Sequence, residues 1–288
     1  MNSDTRGNST LLVNGIPSAV VDVADRGFQY GDGIFSTLLV RGGVPLFLSR
    51  HLDRLERDCR RLLIPAPDRA ALSHEARSLC RTRRDGVLKI QVTRGSGGRG
   101  YRLPEAATPS RVLSIHPLPD YPPDLGEKGV AVRWCRTRLG INPALAGIKH
   151  MNRLENILAR AEWPLGEIRE GLMLDAGGNV TEGTMTNLFL VESGRLITPE
   201  LDLCGVAGVM RGLVMEAAAS LGRIVEERRI GPDEVETADE VFLTNCVIGV
   251  WPVRQVETRD YPVGPLTREI EQWLEAKIRD EVSAVATR

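Results

Sequence analysis

The spacing of apolar residues changes period several times along this chain, and each change predicts an element. Residues 11–14, Leu-Leu-Val-Asn ahead of Gly15, read as a short strand and turn. Ala19–Val23 is a mostly apolar run broken by Asp22, and Asp25–Gly33, rich in glycine, aspartate and aromatics, predicts a structured loop. Ile34–Val40, the turn Arg41-Gly42-Gly43 and Val44–Leu48 predict a β-hairpin. Leu52, Leu55, Cys59, Leu62 and Leu63 recur at helical spacing, with Asp53/Arg57 and Glu56/Arg60 as i,i+4 pairs on the wet side. Pro65 and Pro67 end that helix, and a second covers about 69–81. Val87–Arg94 alternates like a strand and runs into Gly95-Ser96-Gly97-Gly98-Arg99-Gly100, and Arg111–His116 is a further strand.

Pro117, Pro119, Pro122 and Pro123 mark a linker at 118–124, which divides the chain into domains 1–117 and 125–288. The second half opens on strand Gly129–Arg136, followed by a loop and a helix at about 152–163. For that helix, Asn152 and Glu155 predict a capping box, and Leu154, Ile157, Leu158 and Ala161 predict a core-facing stripe. Two hairpins follow, Gly171–Leu174 turning at 175–179 and Leu188–Val191 turning at 192–195. A glycine-rich loop leads into a helix at about 209–221, and strand Glu240–Leu243 precedes a final amphipathic helix carrying Leu266, Ile270, Trp273, Leu274 and Ile278. Helices and hairpins mix without strict βαβ alternation, so the fold class is α+β, not a doubly wound sheet.

Composition narrows the function. With 42% hydrophobic and 26% charged residues the 288-residue chain belongs with ordinary globular proteins, and a net charge of −1 argues against a general nucleic-acid binder. Met1-Asn2-Ser3-Asp4-Thr5-Arg6 lacks the layout of a signal peptide and no run reaches the roughly 18–20 apolar residues of a membrane span, so a cytoplasmic protein is expected. Five scattered cysteines and four scattered histidines form neither a CxxC pair nor an HExxH motif, and no metal site is expected.

The 37 basic residues comprise 33 arginines and only four lysines: Lys89, Lys128, Lys149 and Lys277. Any amine chemistry must use one of these. Lys128 sits in a polar turn, Lys277 beside the apolar stripe of the last helix, and Lys89 in a strand, facing away from Leu88 and Ile90 toward what reads as a solvated sheet face. Lys149, in Gly147-Ile148-Lys149-His150-Met151, lies among small and apolar residues just before the predicted helix start. Partial desolvation and the positive helix end both disfavour an ammonium there, the condition Schiff-base chemistry needs.

Two further stretches carry candidate chemistry. Cys204-Gly205-Val206-Ala207-Gly208-Val209-Met210-Arg211-Gly212 opens a helix and can cradle an anion on backbone N–H groups, although it is neither a P-loop nor a dinucleotide fingerprint. Glu182, among short hydroxyl and glycine residues in Val180-Thr181-Glu182-Gly183-Thr184, can be held in a polar pocket or stand exposed on its turn.

Taken in order, these pieces resemble a known family. Leu139–Asn156, containing Ala146-Gly147-Ile148-Lys149-His150-Met151-Asn152-Arg153-Leu154-Glu155, resembles the lysine segment of the fold-type IV, class IV aminotransferase-like pyridoxal phosphate enzymes. Asp25–Phe35 resembles their N-terminal signature, and Thr181-Glu182-Gly183 with Asn187-Leu188-Phe189 their carboxylate motif. The resemblance implies a smaller N-terminal α/β domain, a larger C-terminal barrel-like α/β domain, a homodimer and pyridoxal 5'-phosphate as cofactor. It implies that Lys149 forms the Schiff base, Glu182 pairs with the pyridine nitrogen, and Arg54 binds the phosphate together with Gly208, Val209, Met210, Thr244 and Asn245. Many relatives have Thr or Ser where Met210 stands, so backbone donors or Thr244 carry more of that contact here. Periodicity alone places Arg54 in solvent.

Within the family, Thr93–Tyr101 and Leu145–His150 resemble its lyase branch, whose substrate 4-amino-4-deoxychorismate carries an amine and two carboxylates. Arg94 and Arg99, with Tyr101 and Tyr30 near them by motif, are then candidates for substrate binding, and Thr37 for holding or relaying a proton. A transaminase of the same fold acting on D-amino or branched-chain substrates, and a non-catalytic binding protein, are the alternatives.

Overall fold

A computed structural model describes residues 10–164 and 166–286, and the chain divides into two compact units. The N-terminal residues on which the signal-peptide reading rests lie outside the described residues. Unit 1 comprises residues up to Pro119, Lys149–Asn152 and the chain from Ile278; unit 2 comprises Asp120–Ile148 and Arg153–Lys277.

Unit 1 is built on a six-stranded sheet. Its elements are β1 (Leu11–Val13), β2 (Ile16–Pro17), α1 (Arg26–Tyr30), β3 (Gly33–Arg41), β4 (Val44–Pro45), α2 (Leu48–Arg61), α3 (Arg69–Cys80), β5 (Gly86–Thr93) and β6 (Ser110–His116). Strands run β2-β1-β6-β5-β3-β4, each antiparallel to its neighbour. Ile34, Leu38, Leu88, Ile90 and Leu113 bury one face of the sheet, and Leu52, Leu55, Leu72 and Leu79 supply the buried sides of α2 and α3. One local expectation fails here. The 25–33 segment is not a loop: Asp25 accepts a hydrogen bond from the Gly27 N–H, and Gly31 at φ 65° closes a short helix between them. The apolar run at 19–23 forms no strand and leaves Val20 and Val23 exposed.

Unit 2 holds α4 (Leu125–Lys128), β7 (Val130–Trp134), α5 (Leu154–Arg160), β8 (Ile168–Leu174), β9 (Val180–Gly183), β10 (Asn187–Glu192), β11 (Arg195–Pro199), α6 (Val209–Ser220), β12 (Val225–Arg228), α7 (Pro232–Thr237), β13 (Glu240–Asn245), β14 (Gly249–Val256) and β15 (Arg259–Asp260). The last helix, α8 (Pro265–Ala286), gives residues to both units. The nine-stranded sheet runs β12-β11-β10-β13-β14-β7-β8-β9 with β15 beside β14, and mixes parallel and antiparallel pairs. It curls until β9 lies against β10, the barrel-like form that the family resemblance implied. Leu172, Leu188, Leu190, Leu243, Trp251 and Val253 fill its interior. Phe189 and Phe242 stack across β10 and β13 with centroids 5.1 Å apart.

The helix after Lys149 departs most from its sequence pattern. It begins at Leu154, and its N-cap, Arg153, makes no side-chain cap bond. The expected capping box does not form, because Asn152 Nδ2 donates to the Gly31 carbonyl and Glu155 accepts from the Gly140 N–H. Leu154, Ile157 and Leu158 do not enter the core; they are 61 to 71% exposed.

Candidate active site

The Lys149 segment is held within unit 1 as an extra strand on β3. Lys149 O accepts from Phe35 N at 2.9 Å, Met151 N donates to Gly33 O at 2.9 Å, and Ile34 bridges His150. Lys149 N donates to Asp58 Oδ2 at 3.2 Å, and Asp58 Oδ1 takes two bonds from Arg57. The Lys149 Nζ stands 4.5 Å from the centroid of the Phe35 ring. Backbone pairing, a buried carboxylate and an aromatic face therefore fix a half-buried amine at one point.

Arg54 is buried at 6% exposure, against its periodicity. The reason lies one turn either side: His51, Arg54 and Asp58 form a second buried stripe on α2 at i, i+3 and i+7, a polar one beside the leucine stripe. Arg54 Nη2 donates to Ser36 Oγ at 2.7 Å, and Ser36 Oγ is 2.7 Å from His51 Nδ1. Burial, then the charges of Arg54 and Lys149, push the His51 pKa well below its usual 6.5, so the ring stays neutral. Ser36, His51, Asp58 and Phe35 were missed by sequence reasoning; the polar stripe on α2 is a signal for His51 and Asp58, and Ser36 and Phe35 on β3 have none of that kind.

The four other sequence candidates in unit 1 separate sharply. Arg94, 4% exposed, donates to both Asp32 oxygens at 2.7 and 2.9 Å and to the Leu62 and Leu63 carbonyls. Its fork is spent on structure, which corrects its assignment to a substrate carboxylate. Arg26 also pairs with Asp32, at 2.9 Å. Burial raises the Asp32 pKa, but the bonds from Arg94 and Arg26 outweigh it and hold the carboxylate below its usual 3.8. The glycine-rich loop docks through Gly100, whose N–H donates to Tyr30 Oη and whose carbonyl accepts from Arg26. Arg99 stays exposed, and Tyr101 is 90% exposed with its ring 6.0 Å from Tyr30. Thr37 is half-buried on β3 opposite Lys89.

Unit 2 carries the other expected residues. Glu182 does not stand out on a turn; it is 4% exposed on β9, and its Oε2 accepts from Val206 N at 2.8 Å. The bend at 184–186 that follows its strand is shaped by Glu170, fully buried, which accepts from Gly171 N, Thr184 N, Thr184 Oγ1, Met185 N and Thr186 Oγ1. Desolvation still dominates there and raises the Glu170 pKa. The 204–208 turn pairs with Gly147 on both sides, through Gly147 N to Gly205 O and Ala207 N to Gly147 O, each 3.0 Å. Gly208 is the N-cap of α6 with no side-chain cap, so the first N–H groups of the helix, at Val209 and Met210, remain donors. A Cβ at Gly208 would stand 2.2 Å from Asn187 Oδ1: the turn admits only hydrogen at this point. Thr244 Oγ1 donates to Gly249 O at 2.6 Å, and Asn245 holds its own turn, accepting from Val247 N and Ile248 N.

Taken separately, unit 1 offers a half-buried amine and a buried guanidinium, and unit 2 a buried carboxylate and a glycine-opened turn ahead of a helix start; these donor types fit pyridoxal phosphate by their chemistry. No group of three or more metal-ligating side chains occurs among the described residues.

Comparison with known proteins agrees. The sequence profile of the amino-transferase class IV family matches residues 33–256, and the chain belongs to that family. Its cofactor is accordingly pyridoxal phosphate. The chain is 39% identical over 263 residues to the aminodeoxychorismate lyase of Vibrio harveyi, covering 90% of this chain and 97% of that protein. The crystal structure of 4-amino-4-deoxychorismate lyase from Pseudomonas aeruginosa superposes with a TM-score of 0.89 at 50% identity, covering 92% and 98%. A putative branched-chain-amino-acid aminotransferase of Methanocaldococcus jannaschii is 30% identical over 261 residues, covering 88% and 90%.

Proposed function

We propose that this protein is a pyridoxal phosphate-dependent lyase that converts 4-amino-4-deoxychorismate to 4-aminobenzoate and pyruvate, a step toward folate. The observation that carries the reading is the contrast in similarity: 39% sequence identity to a lyase of that name against 30% to an aminotransferase relative, each over about nine-tenths of this chain.

When bound, pyridoxal phosphate supplies a conjugated ring able to take up the electron pair of a C–H bond beside an amine nitrogen. Lys149 would hold the cofactor through Nζ and would serve as the base toward the proton on the amine-bearing carbon of the substrate. Glu182 keeps a proton on the pyridine nitrogen. Arg54 would hold the phosphate by a charge-assisted bond, with the backbone donors of Val209 and Met210 at the Gly208 turn, and Thr244 would join them by turning its hydroxyl from the Gly249 carbonyl. The side chain of Asn245 serves the adjacent turn. Thr37 holds or relays a proton, and Arg99, Tyr101 and Tyr30 face the substrate. Breaking the C–O bond to the enolpyruvyl group aromatises the ring, so no second keto acid is consumed.

The same reading includes a homodimer in the cytoplasm. Leu154, Ile157 and Leu158 give α5 an apolar face on water, the kind of surface a second copy covers. No disulfide joins the five cysteines, four of which are buried, which suits a reducing compartment. No helix among the described residues is long and apolar enough to cross a membrane.

The test is incubation of purified protein and pyridoxal phosphate with chorismate, glutamine and an aminodeoxychorismate synthase. The lyase yields 4-aminobenzoate and pyruvate in equal amounts without added keto acid. Amine transfer that depends on a keto acid, with no 4-aminobenzoate, identifies a transaminase. No visible cofactor band identifies a protein that does not hold the cofactor at all.

A further inference from the structure

We infer that Lys89 is a substrate-binding residue that takes the ring carboxylate of the substrate; this rests on the lyase reading above. Its place in the sheet is the first reason. Lys89 lies on β5 with its side chain on the same sheet face as Phe35 and Thr37, and its Nζ is 5.4 Å from the centroid of the Phe35 ring. Lys149 Nζ is 4.5 Å from that centroid. Laid end to end, the two distances keep the ammonium groups at most about 10 Å apart.

The second reason is charge. Three buried or half-buried arginines around this sheet meet carboxylates: Arg26 and Arg94 share Asp32, and Arg111 meets Glu75 at 2.7 Å. Lys89 meets no carboxylate among the described residues. Its cross-strand partners are Thr37 and Ser114, and a partial compensation comes from the Phe35 ring. A half-buried cation without a counter-ion is destabilising until an anion arrives, which favours an anionic ligand over a neutral one.

The third reason is reach. The substrate amine must come to the position of Lys149 Nζ. Its ring carboxylate stands para to that amine, roughly 6 to 7 Å away by ordinary bond lengths. A hydrogen bond of about 3 Å from Lys89 completes the span within the limit set by the two distances. Lysine suits this task as a mobile point charge, where an arginine fork demands a fixed plane.

The experiment measures equilibrium binding of 4-aminobenzoate and of its methyl ester to the holoenzyme of the parent, Lys89→Met and Lys89→Arg. The parent should bind the acid more tightly than the ester. Lys89→Met should weaken the acid roughly 10- to 100-fold and leave the ester unchanged. Lys89→Arg should recover most of the loss. Melting curves and the visible cofactor band should match across the three proteins. If the parent binds the acid no better than the ester, or Lys89→Met changes both equally or neither, the assignment is overturned. Discrimination through Lys89 in a protein that makes no 4-aminobenzoate would sink the lyase reading and leave the carboxylate site standing; elimination with a silent Lys89→Met would do the reverse.

Discussion

Replacing Gly208 by alanine places a methyl carbon 2.2 Å from Asn187 Oδ1, closer than any real Cβ contact. Two routes relieve the clash. Asn187 is buried and its Nδ2 donates to Val206 O at 2.8 Å, so turning its side chain away abandons a buried hydrogen bond, a loss of about 1–3 kcal/mol. Alternatively the turn shifts away from β10, which as overpacking also costs about 1–3 kcal/mol. The protein takes the cheaper route, so the expected destabilisation is about 1–3 kcal/mol and not the sum. Either route moves the start of α6, and a misplacement of donors on that scale should lower cofactor affinity by up to about 100-fold. Urea unfolding of the cofactor-free protein reads the first effect, and titration of the visible cofactor band the second. Asn187→Ser removes the clashing oxygen, so the double variant should be more stable than the two single losses add up to. Gly208→Ala within about 0.5 kcal/mol of the parent, with unchanged cofactor affinity, would refute the reasoning.

Asp32→Asn leaves the guanidinium of Arg94 buried without its carboxylate and should lower stability by about 3–5 kcal/mol in denaturant titration. Because the folded Asp32 pKa is depressed, its contribution is present above the unfolded carboxylate value and lost as pH falls through the folded one; the variant should lack that acid-sensitive component. His51 stays neutral in the fold while the unfolded chain protonates it below about 6.5, so stability should decline from about pH 7 to pH 5, by at most about 1.4 kcal/mol per pH unit, and His51→Gln should flatten the slope. Leu154→Glu together with Leu158→Glu should convert a dimer to monomer in sedimentation while the circular dichroism of the folded protomer is retained, since both side chains are exposed in the protomer. A dimer that survives both charges would move the interface elsewhere.

Legibility in the sequence followed the physics of each signal. The Leu52, Leu55 and Cys59 part of the α2 stripe, the alternation in β5 and the glycine-rich start of α6 depend on local periodicity and form where the pattern placed them, whereas Leu62 and Leu63 fall beyond the helix and Leu63 is exposed. α5 shows the limit: its apolar stripe has helical spacing, but nothing in the spacing says whether a core or water receives it. Its capping box failed because Asn152 found a carbonyl 121 residues away, a competitor that local sequence does not contain. The site behaved likewise. Lys149 was reachable because lysines are few. Glu182 and Arg54 needed the family resemblance, since burial of a charge is decided by partners such as Val206 N and Ser36 Oγ. Arg94 was misassigned for the same reason: a glycine-rich neighbourhood suggested a ligand, while Asp32 and two carbonyls had already taken the fork.

The claim on which everything else depends is that one lysine of four carries the cofactor. Borohydride reduction of the holoenzyme followed by peptide mapping tests it directly. The account predicts the cofactor label on the peptide containing Lys149 alone, with label and visible band both absent from Lys149→Ala. Label on Lys89, Lys128 or Lys277, or a visible band that persists in Lys149→Ala, would contradict it.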